Sequence, residues 1–321
     1  MRAPTTRSPT RRRHTASSSA DEPACNTSPV SSTPDHSWVH PPIAAVRDAV
    51  RRALAEDLTP LGDLTATLVP VGPGEARFAA RQAGRLAGTA CALETYAQLD
   101  PAVELSWSVP EGAELAPGEV FGIVRGPFRS ILTGERTALN FLGHLSGIAT
   151  LTSQFVEAAA AGGPARVWDT RKTVPGMRAL AKAAVRAGGG RNHRGNLSDW
   201  MLIKDNHLGG VSITEAVATA RDRWPGRTVH VECDTHEQCL EALAVGADAI
   251  LLDNMDPDTV RACVTSAREQ QGGLPRRTLL EVSGGVTLAT IGGYSATGVD
   301  MISVGAITNS APVLDLGLDL A

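Results

Sequence analysis

From Ala160 to the C-terminus the sequence alternates short apolar runs with helix-patterned stretches, and this alternation constrains the fold more than any other feature. The apolar runs are Ala165–Trp168, Trp200–Ile203, Thr228–Val231, Ala249–Leu252, Thr278–Leu280 and Met301–Val304. Helical patterns at Pro175–Ala187, Ile213–Trp224, His236–Val245, Pro257–Glu269 and Leu288–Gly292 separate most of them. Strands that are apolar on both faces belong in a parallel sheet covered by helices. Each run also ends in polar groups: Asp169 to Lys172, Lys204, Glu232, Asp253, Glu281 to Ser283, and Ser303 to Gly305. A doubly wound sheet uses mainly its switch point, whereas an α/β barrel assembles its site from all the C-terminal strand ends. The pattern therefore predicts an α/β barrel.

Upstream the pattern differs. Residues 1–40 are rich in Ser, Thr, Pro and Arg without periodicity, which predicts a disordered tail. No apolar segment follows Arg11-Arg12-Arg13, so this is not a signal peptide. A helix is expected at Ile43–Leu58 and another at Leu86–Leu99, with short strands near 75–80, 103–109 and 119–125, giving a small α+β unit. Ile131–Ala160 reads as helical, with interruptions near Gly143 and Gly147.

Composition narrows the function classes. A net charge of −4 and 4% aromatic residues argue against a nucleic-acid binder. No apolar run approaches the roughly 18 residues of a membrane span. The five cysteines form no CxxC pair and no zinc motif, which fits a reducing compartment, and Cys233, Cys239 and Cys263 read as buried residues.

Against this acidic background, the cations between 169 and 207 form a local cluster. Arg171, Lys172, His193, Arg194 and Lys204 lie in loops or at strand ends, where Arg offers a planar two-point grip on a carboxylate or phosphate and Lys a compact charge. Arg178 and Lys182 lie on the intervening helical stretch and are expected to be exposed; Arg136 is readable as a helix ion pair. Glu232 and Asp253 could hold ribose hydroxyls or Mg²⁺, or neutralise the cations. Asp234 and Asp256 look like helix N-caps. The glycine turns Ser283-Gly284-Gly285 and Gly305-Ala306 let a phosphate approach the backbone. The implied ligand carries phosphates, a sugar diol or metal, and separate carboxylates. With no nucleophile constellation, electrostatic positioning is the expected mechanism.

Long segments then carry a resemblance: ERTALNFLGHLSGIAT (135–150), DTRKTVPGMRALAKAAVRAGGGRNHRGNLSD (169–199), LIKDNH (202–207), VECD (231–234), ILLDNM (250–255), EVSGGV (281–286) and ISVGAITNSAPVLDLGLDL (302–320). Together they resemble the carboxylating nicotinate-nucleotide pyrophosphorylases, or quinolinate phosphoribosyltransferases, over roughly residues 45–321. The resemblance implies transfer of phosphoribosyl from phosphoribosyl pyrophosphate to quinolinate with loss of CO₂, with Mg²⁺, in NAD biosynthesis in the cytoplasm. It implies an incomplete, TIM-like α/β barrel (148–310) preceded by a small α/β sandwich (41–147), with 311–321 packing back on the sandwich. It further implies a homodimer or larger assembly in which Arg136 reaches the neighbouring subunit's quinolinate.

By the same resemblance, Arg171, Thr173, His193 and Arg194 would hold quinolinate, and Lys172 would lie between the substrates. Lys204 would meet the phosphoribosyl donor. Glu232 and Asp253 would hold the ribose and, directly or through water, Mg²⁺. Ser283, Gly284, Gly285, Val304, Gly305 and Ala306 would cradle the 5′-phosphate, with Lys172, Lys204, Glu232 and Asp253 as the catalytic group. A nicotinate phosphoribosyltransferase needs to grip only one carboxylate, so the cluster of Arg171, His193 and Arg194 speaks against that relative. One departure stands out: the family's Thr-His-Ser after the last barrel strand is Thr308-Asn309-Ser310 here.

Overall fold

A computed structural model describes residues 36–270 and 277–321; most of the expected tail lies outside the described residues. The described chain begins earlier than expected, with a 3₁₀ turn at His36–Val39. Arg186 tethers this turn by donating to the carbonyls of Trp38 (2.5 Å) and His40 (3.0 Å).

Helix α1 (Ile43–Leu58) buries Val46, Ala49, Val50 and Leu54, the i, i+3, i+4 stripe of an amphipathic helix. There follow β1 (Pro73–Ala80), β2 (Gly84–Arg85), α2 (Thr89–Leu99), β3 (Glu104–Trp107), β4 (Glu114–Leu115) and β5 (Val120–Pro127). Then comes α3 (Phe128–Gly162), which leads to the barrel. A core of Phe78, Leu86, Tyr96, Phe121, Ile131 and Leu142 joins the first sheet to α2 and α3.

Contrary to the sequence expectation, α3 runs through Gly143 and Gly147 without a break. Isolated glycines in a helix cost about 1 kcal/mol each, but here they admit a passing backbone. A Cβ on Gly147 would lie 2.0 Å from the Pro312 carbonyl oxygen, and one on Gly143 would lie 3.0 Å from that of Leu314.

The barrel strands are β6 (Arg166–Trp168), β7 (Met201–Ile203), β8 (Val229–Cys233), β9 (Ala249–Asp253), β10 (Leu279–Ser283) and β11 (Met301–Ser303). Between them lie α4 (Arg178–Ala187), α5 (Asp205–Leu208), α6 (Ile213–Arg223), α7 (His236–Ala244), α8 (Pro257–Gln270) and α9 (Ile291–Ser295). The helix expected at Leu288–Gly292 thus sits three residues later, because Leu288 and Ala289 belong to the turn before it. Helices α6 and α7 begin with capping boxes at Ser212/Glu215 and Thr235/Gln238. Thr235, not the expected Asp234, caps α7, while Asp256 does cap α8 by accepting from the amides of Asp258 (2.9 Å) and Thr259 (3.1 Å).

The ladder is parallel in the order β6-β11-β10-β9-β8-β7. Consecutive strands β6 and β7 stand at opposite ends of this order, so the barrel is incomplete. The segment after α4 enters the gap, bridging to β6 between Arg191 and Trp168. After α10 (Ala306–Asn309), β12 (Leu316–Leu320) pairs antiparallel with β1, giving a first-sheet order of β12-β1-β5-β3.

Candidate active site

The C-terminal strand ends enclose an open cavity of about 550 Å³. Ten of the expected residues line it: Arg171, Lys172, His193, Arg194, Lys204, Glu232, Asp253, Ser283, Gly284 and Gly285. Thr170, Leu202, Leu251, Asn254, Glu281 and Ser303 complete the wall. Strands β8, β9 and β10 run one to three residues further than their apolar cores suggested, so Glu232, Asp253, Glu281 and Ser283 sit within the ladder rather than in loops.

Five expected residues do not line the cavity. Arg136 is exposed on α3, and among the described residues no acidic group pairs with it. The Thr173 hydroxyl accepts from Arg178 Nε at 3.2 Å. Val304 is buried, and its amide donates to the Trp168 carbonyl at 2.9 Å. Gly305 and Ala306 lie just behind the lining: a Cβ on Gly305 would stand 3.0 Å from Lys172 Cδ.

Arg178 and Lys182 depart from the sequence expectation, since neither is a solvated helix cation. Arg178 is partly buried and donates to the Gly195 carbonyl at 3.1 Å, tying α4 to the loop that carries His193 and Arg194. Lys182 is 7% exposed and pairs with the fully buried Asp169. It also donates to the His193 carbonyl at 2.8 Å, while Asp169 accepts from the His193 amide at 2.8 Å and from Asn192 Nδ2 at 2.8 Å. Burial pushes the Lys182 ammonium down and the Asp169 carboxyl up from their ordinary values, partly offset by their attraction to each other. The pair fixes both main-chain groups of His193.

The His193 side chain is held separately. Its Nε2 is 3.2 Å from Glu281 Oε2, its ring meets Trp200 edge-on at 4.8 Å, and Ser303 donates to the other Glu281 oxygen. Burial works to raise Glu281, but hydrogen bonds from His193 and Ser303 and the neighbouring imidazoles hold it below its ordinary value. Beneath it, burial pushes His230 down to about 4, against the attraction of Glu281.

Charge is concentrated but poorly compensated. Arg194 is 7% exposed; burial and the adjacent Arg171 both lower it. Arg171 Nε is buried with no hydrogen-bond partner, a donor whose desolvation goes uncompensated in the free protein. On the opposite wall, Lys204 pairs with Glu232. Burial raises Asp253, which Lys204 partly offsets and Asp234 reinforces. Glu232 and Asp253, on adjacent strands and both lining the cavity, form an oxygen donor set that fits Mg²⁺. The Gly284 turn has φ +95°, and a Cβ there would lie 2.1 Å from Asn254 Oδ1; the neighbouring Gly285 has open space around it. That leaves bare backbone at the cavity edge.

Known proteins share this architecture. The quinolinate phosphoribosyl transferase C-terminal domain matches residues 148–319, and the N-terminal domain of the same family matches 63–146. The nicotinate-nucleotide pyrophosphorylase [carboxylating] of Mycobacterium leprae is 41% identical over 281 residues, covering 86% of this chain and 97% of the relative. Quinolinate phosphoribosyltransferase [decarboxylating] 1 of Nicotiana glauca is 37% identical, covering 87% of this chain and 83% of that one. The solved nicotinate-nucleotide pyrophosphorylase of Francisella tularensis superposes with a TM-score of 0.83 at 37% identity, covering 88% of this chain and 99% of that one. With both family domains matched in order along the chain, this protein belongs to the quinolinate phosphoribosyltransferase family.

Proposed function

We propose that this protein transfers the phosphoribosyl group of phosphoribosyl pyrophosphate to quinolinate, yielding nicotinate mononucleotide, CO₂ and pyrophosphate in NAD biosynthesis. The observation that carries this reading is the crowding of two guanidiniums beside His193, Arg194 buried and Arg171 half-buried, with the buried Arg171 Nε lacking a partner. Such a cluster is satisfied by a dicarboxylate and is in excess for one carboxylate. Facing it, Lys204, Glu232, Asp253 and the glycine turn at 284–285 suit a phosphorylated ribose.

In this reading Arg171, His193 and Arg194 orient quinolinate so that its ring nitrogen faces ribose C1. The nitrogen's lone pair forms the new N–C1 bond as the C1–O bond breaks, and pyrophosphate leaves with that electron pair. Lys204 and Lys172 stabilise the negative charge that develops on it. The cationic ring nitrogen then accepts the electron pair of the adjacent C–CO₂⁻ bond, and a solvent proton replaces the carboxylate. Glu232 and Asp253 would hold Mg²⁺, directly or through water, and the ion would neutralise pyrophosphate charge.

The proposed organisation is a sandwich unit at 41–147, a barrel unit at 148–310 and a C-terminal segment at 311–321, assembled at least as a homodimer in the cytoplasm. Arg136 then serves a neighbouring subunit's site, a role supported by its exposure away from its own cavity. No described helix is long and apolar enough to cross a membrane.

The deciding assay is quinolinate-dependent CO₂ release, with phosphoribosyl pyrophosphate and Mg²⁺ each supplied or withheld. Release should require both, and pyrophosphate release followed in parallel should be absent when nicotinate replaces quinolinate. Lys204→Ala should abolish turnover; near-normal release by that variant would remove the proposed charge stabilisation.

A further inference from the structure

At the floor of the substrate cavity, three side chains from separate segments converge: His193 in the loop after α4, Glu281 on β10 and, one layer deeper, His230 on β8. All three are buried, and their donor atoms lie within 4.8 Å of one another. Glu281 Oε2 is 3.2 Å from His193 Nε2 and 3.4 Å from His230 Nε2. Only the first contact has hydrogen-bond geometry: His230 Nε2, on a residue 1% exposed, has no hydrogen-bond partner. It points at an oxygen that His193 and the carboxylate already share, a costly arrangement unless something else takes its lone pair or proton.

We propose that His193, His230 and Glu281 form a binding site for a borderline transition-metal dication of the Zn²⁺ class. Zinc binds imidazole nitrogen at about 2.0–2.1 Å and carboxylate oxygen at about 2.0–2.2 Å, so neighbouring donors in a tetrahedral site stand about 3.3–3.5 Å apart. The two imidazole–carboxylate edges, 3.2 and 3.4 Å, lie close to this, and the imidazole–imidazole edge is within 4.8 Å. Two imidazoles and one carboxylate select Zn²⁺, Co²⁺ or Ni²⁺ over Mg²⁺, which demands oxygen ligands. The site is thus chemically distinct from the carboxylate pair Glu232 and Asp253 and is not served by the same ion.

Access and the remaining coordination position come from the cavities on either side. His193 and Glu281 line the 550 Å³ cavity above. His230 lines a second cavity of about 490 Å³ at the strand starts, with Trp168, Trp200, Leu279 and Met301. Three protein ligands with one open position is the arrangement of an exchangeable ion. The positive charge of Arg194 opposes the ion, so the site is weaker than a structural zinc centre. The second-site ligand is encoded at a distance: 193, 230 and 281 follow no metal-motif spacing, and only the incomplete barrel brings them together.

The test uses the full chain, stripped of transition metals and kept in excess Mg²⁺. Co²⁺ titration should develop the visible absorption of a four- or five-coordinate site at one equivalent per chain, and Zn²⁺ should bleach it. His230→Gln should abolish the band while retaining the thermal transition. X-ray absorption on the Zn²⁺-loaded wild-type protein, which needs no variant to fold, should count two imidazole ligands. No band in the wild-type protein, a band that persists in His230→Gln, or fewer than two imidazoles on zinc would each overturn the proposal. None of these readouts needs turnover, so they stand apart from the fate of the phosphoribosyl transfer reading.

Discussion

Replacing Lys182 with Met tests whether the buried pair beneath the dicarboxylate end of the cavity positions His193. Met keeps an unbranched apolar stem but leaves Asp169, fully buried, without its cation. Breaking a buried pair from one side costs about 3–5 kcal/mol, which at roughly 2–4 °C per kcal/mol lowers Tm by about 6–20 °C. The loss should depend on pH in a defined direction. Burial already raises the Asp169 pKa, and Lys182 is the largest influence lowering it, so the variant raises it further. A carboxyl whose folded pKa lies above its unfolded one contributes most below the unfolded value, and loses that contribution as pH rises through the folded pKa. The variant's Tm deficit should therefore be smaller near pH 5 than near pH 8. Asp169 also accepts from the His193 amide at 2.8 Å, so KM for quinolinate should rise more than KM for phosphoribosyl pyrophosphate. Calorimetry across pH 5–8 and steady-state kinetics read both effects. A variant as stable as wild type at pH 8, or a deficit independent of pH, would refute the reasoning.

Other perturbations are sharper in what they touch. Arg171→Ala removes a charged donor set from the cavity; at about 1.5–3 kcal/mol per charge-assisted contact, KM for quinolinate should rise roughly 10- to 150-fold, and an unchanged KM in steady-state kinetics would take Arg171 out of quinolinate binding. Gly147→Ala would gain about 1 kcal/mol in an isolated helix, but its Cβ meets the Pro312 carbonyl oxygen at 2.0 Å. Overpacking costs about 1–3 kcal/mol, so urea unfolding should report a net loss, and a more stable variant would mean that the C-terminal segment yields freely. Asn309 is exposed and accepts from Ser310 at 2.6 Å. Asn309→His would restore a group able to carry charge, so KM for phosphoribosyl pyrophosphate should fall at pH 6 relative to pH 8, and a flat profile would disconnect position 309 from phosphate binding.

The barrel was legible because its strands are apolar on both faces and each stops at a polar residue, a pattern written locally in the sequence. What escaped depends on contacts distant in sequence. Gly143 and Gly147 read as helix interruptions because a lone glycine lowers local helix propensity. Their purpose, admitting residues 312–314, depends on a segment more than 160 residues away. The two-residue strands β2 and β4 carry no readable alternation, and they exist only by pairing with each other. Arg178 and Lys182 read as solvated because helical cations usually are; nothing in their own segment announces that Asp169 lies buried against that helix.

The cavity residues not among the expected ligands had a usable signal in strand periodicity. Side chains on one face of a strand recur every second residue. Stepping back two places from Lys204, Asp253, Ser283 and Gly305 leads to Leu202, Leu251, Glu281 and Ser303, each of which lines the cavity. The same step from Glu232 leads to His230, one layer deeper. Barrel interiors are filled in such layers, so each polar strand end predicts a residue beneath it that supports the site. An apolar partner, as at Leu202 and Leu251, walls off the floor. A polar one, as at His230, Glu281 and Ser303, extends the chemistry of the mouth into the barrel. Three of these five inner positions are polar here, more than a floor needs if it serves only to exclude water. Their convergence on Glu281 is therefore where further chemistry is to be sought in this protein.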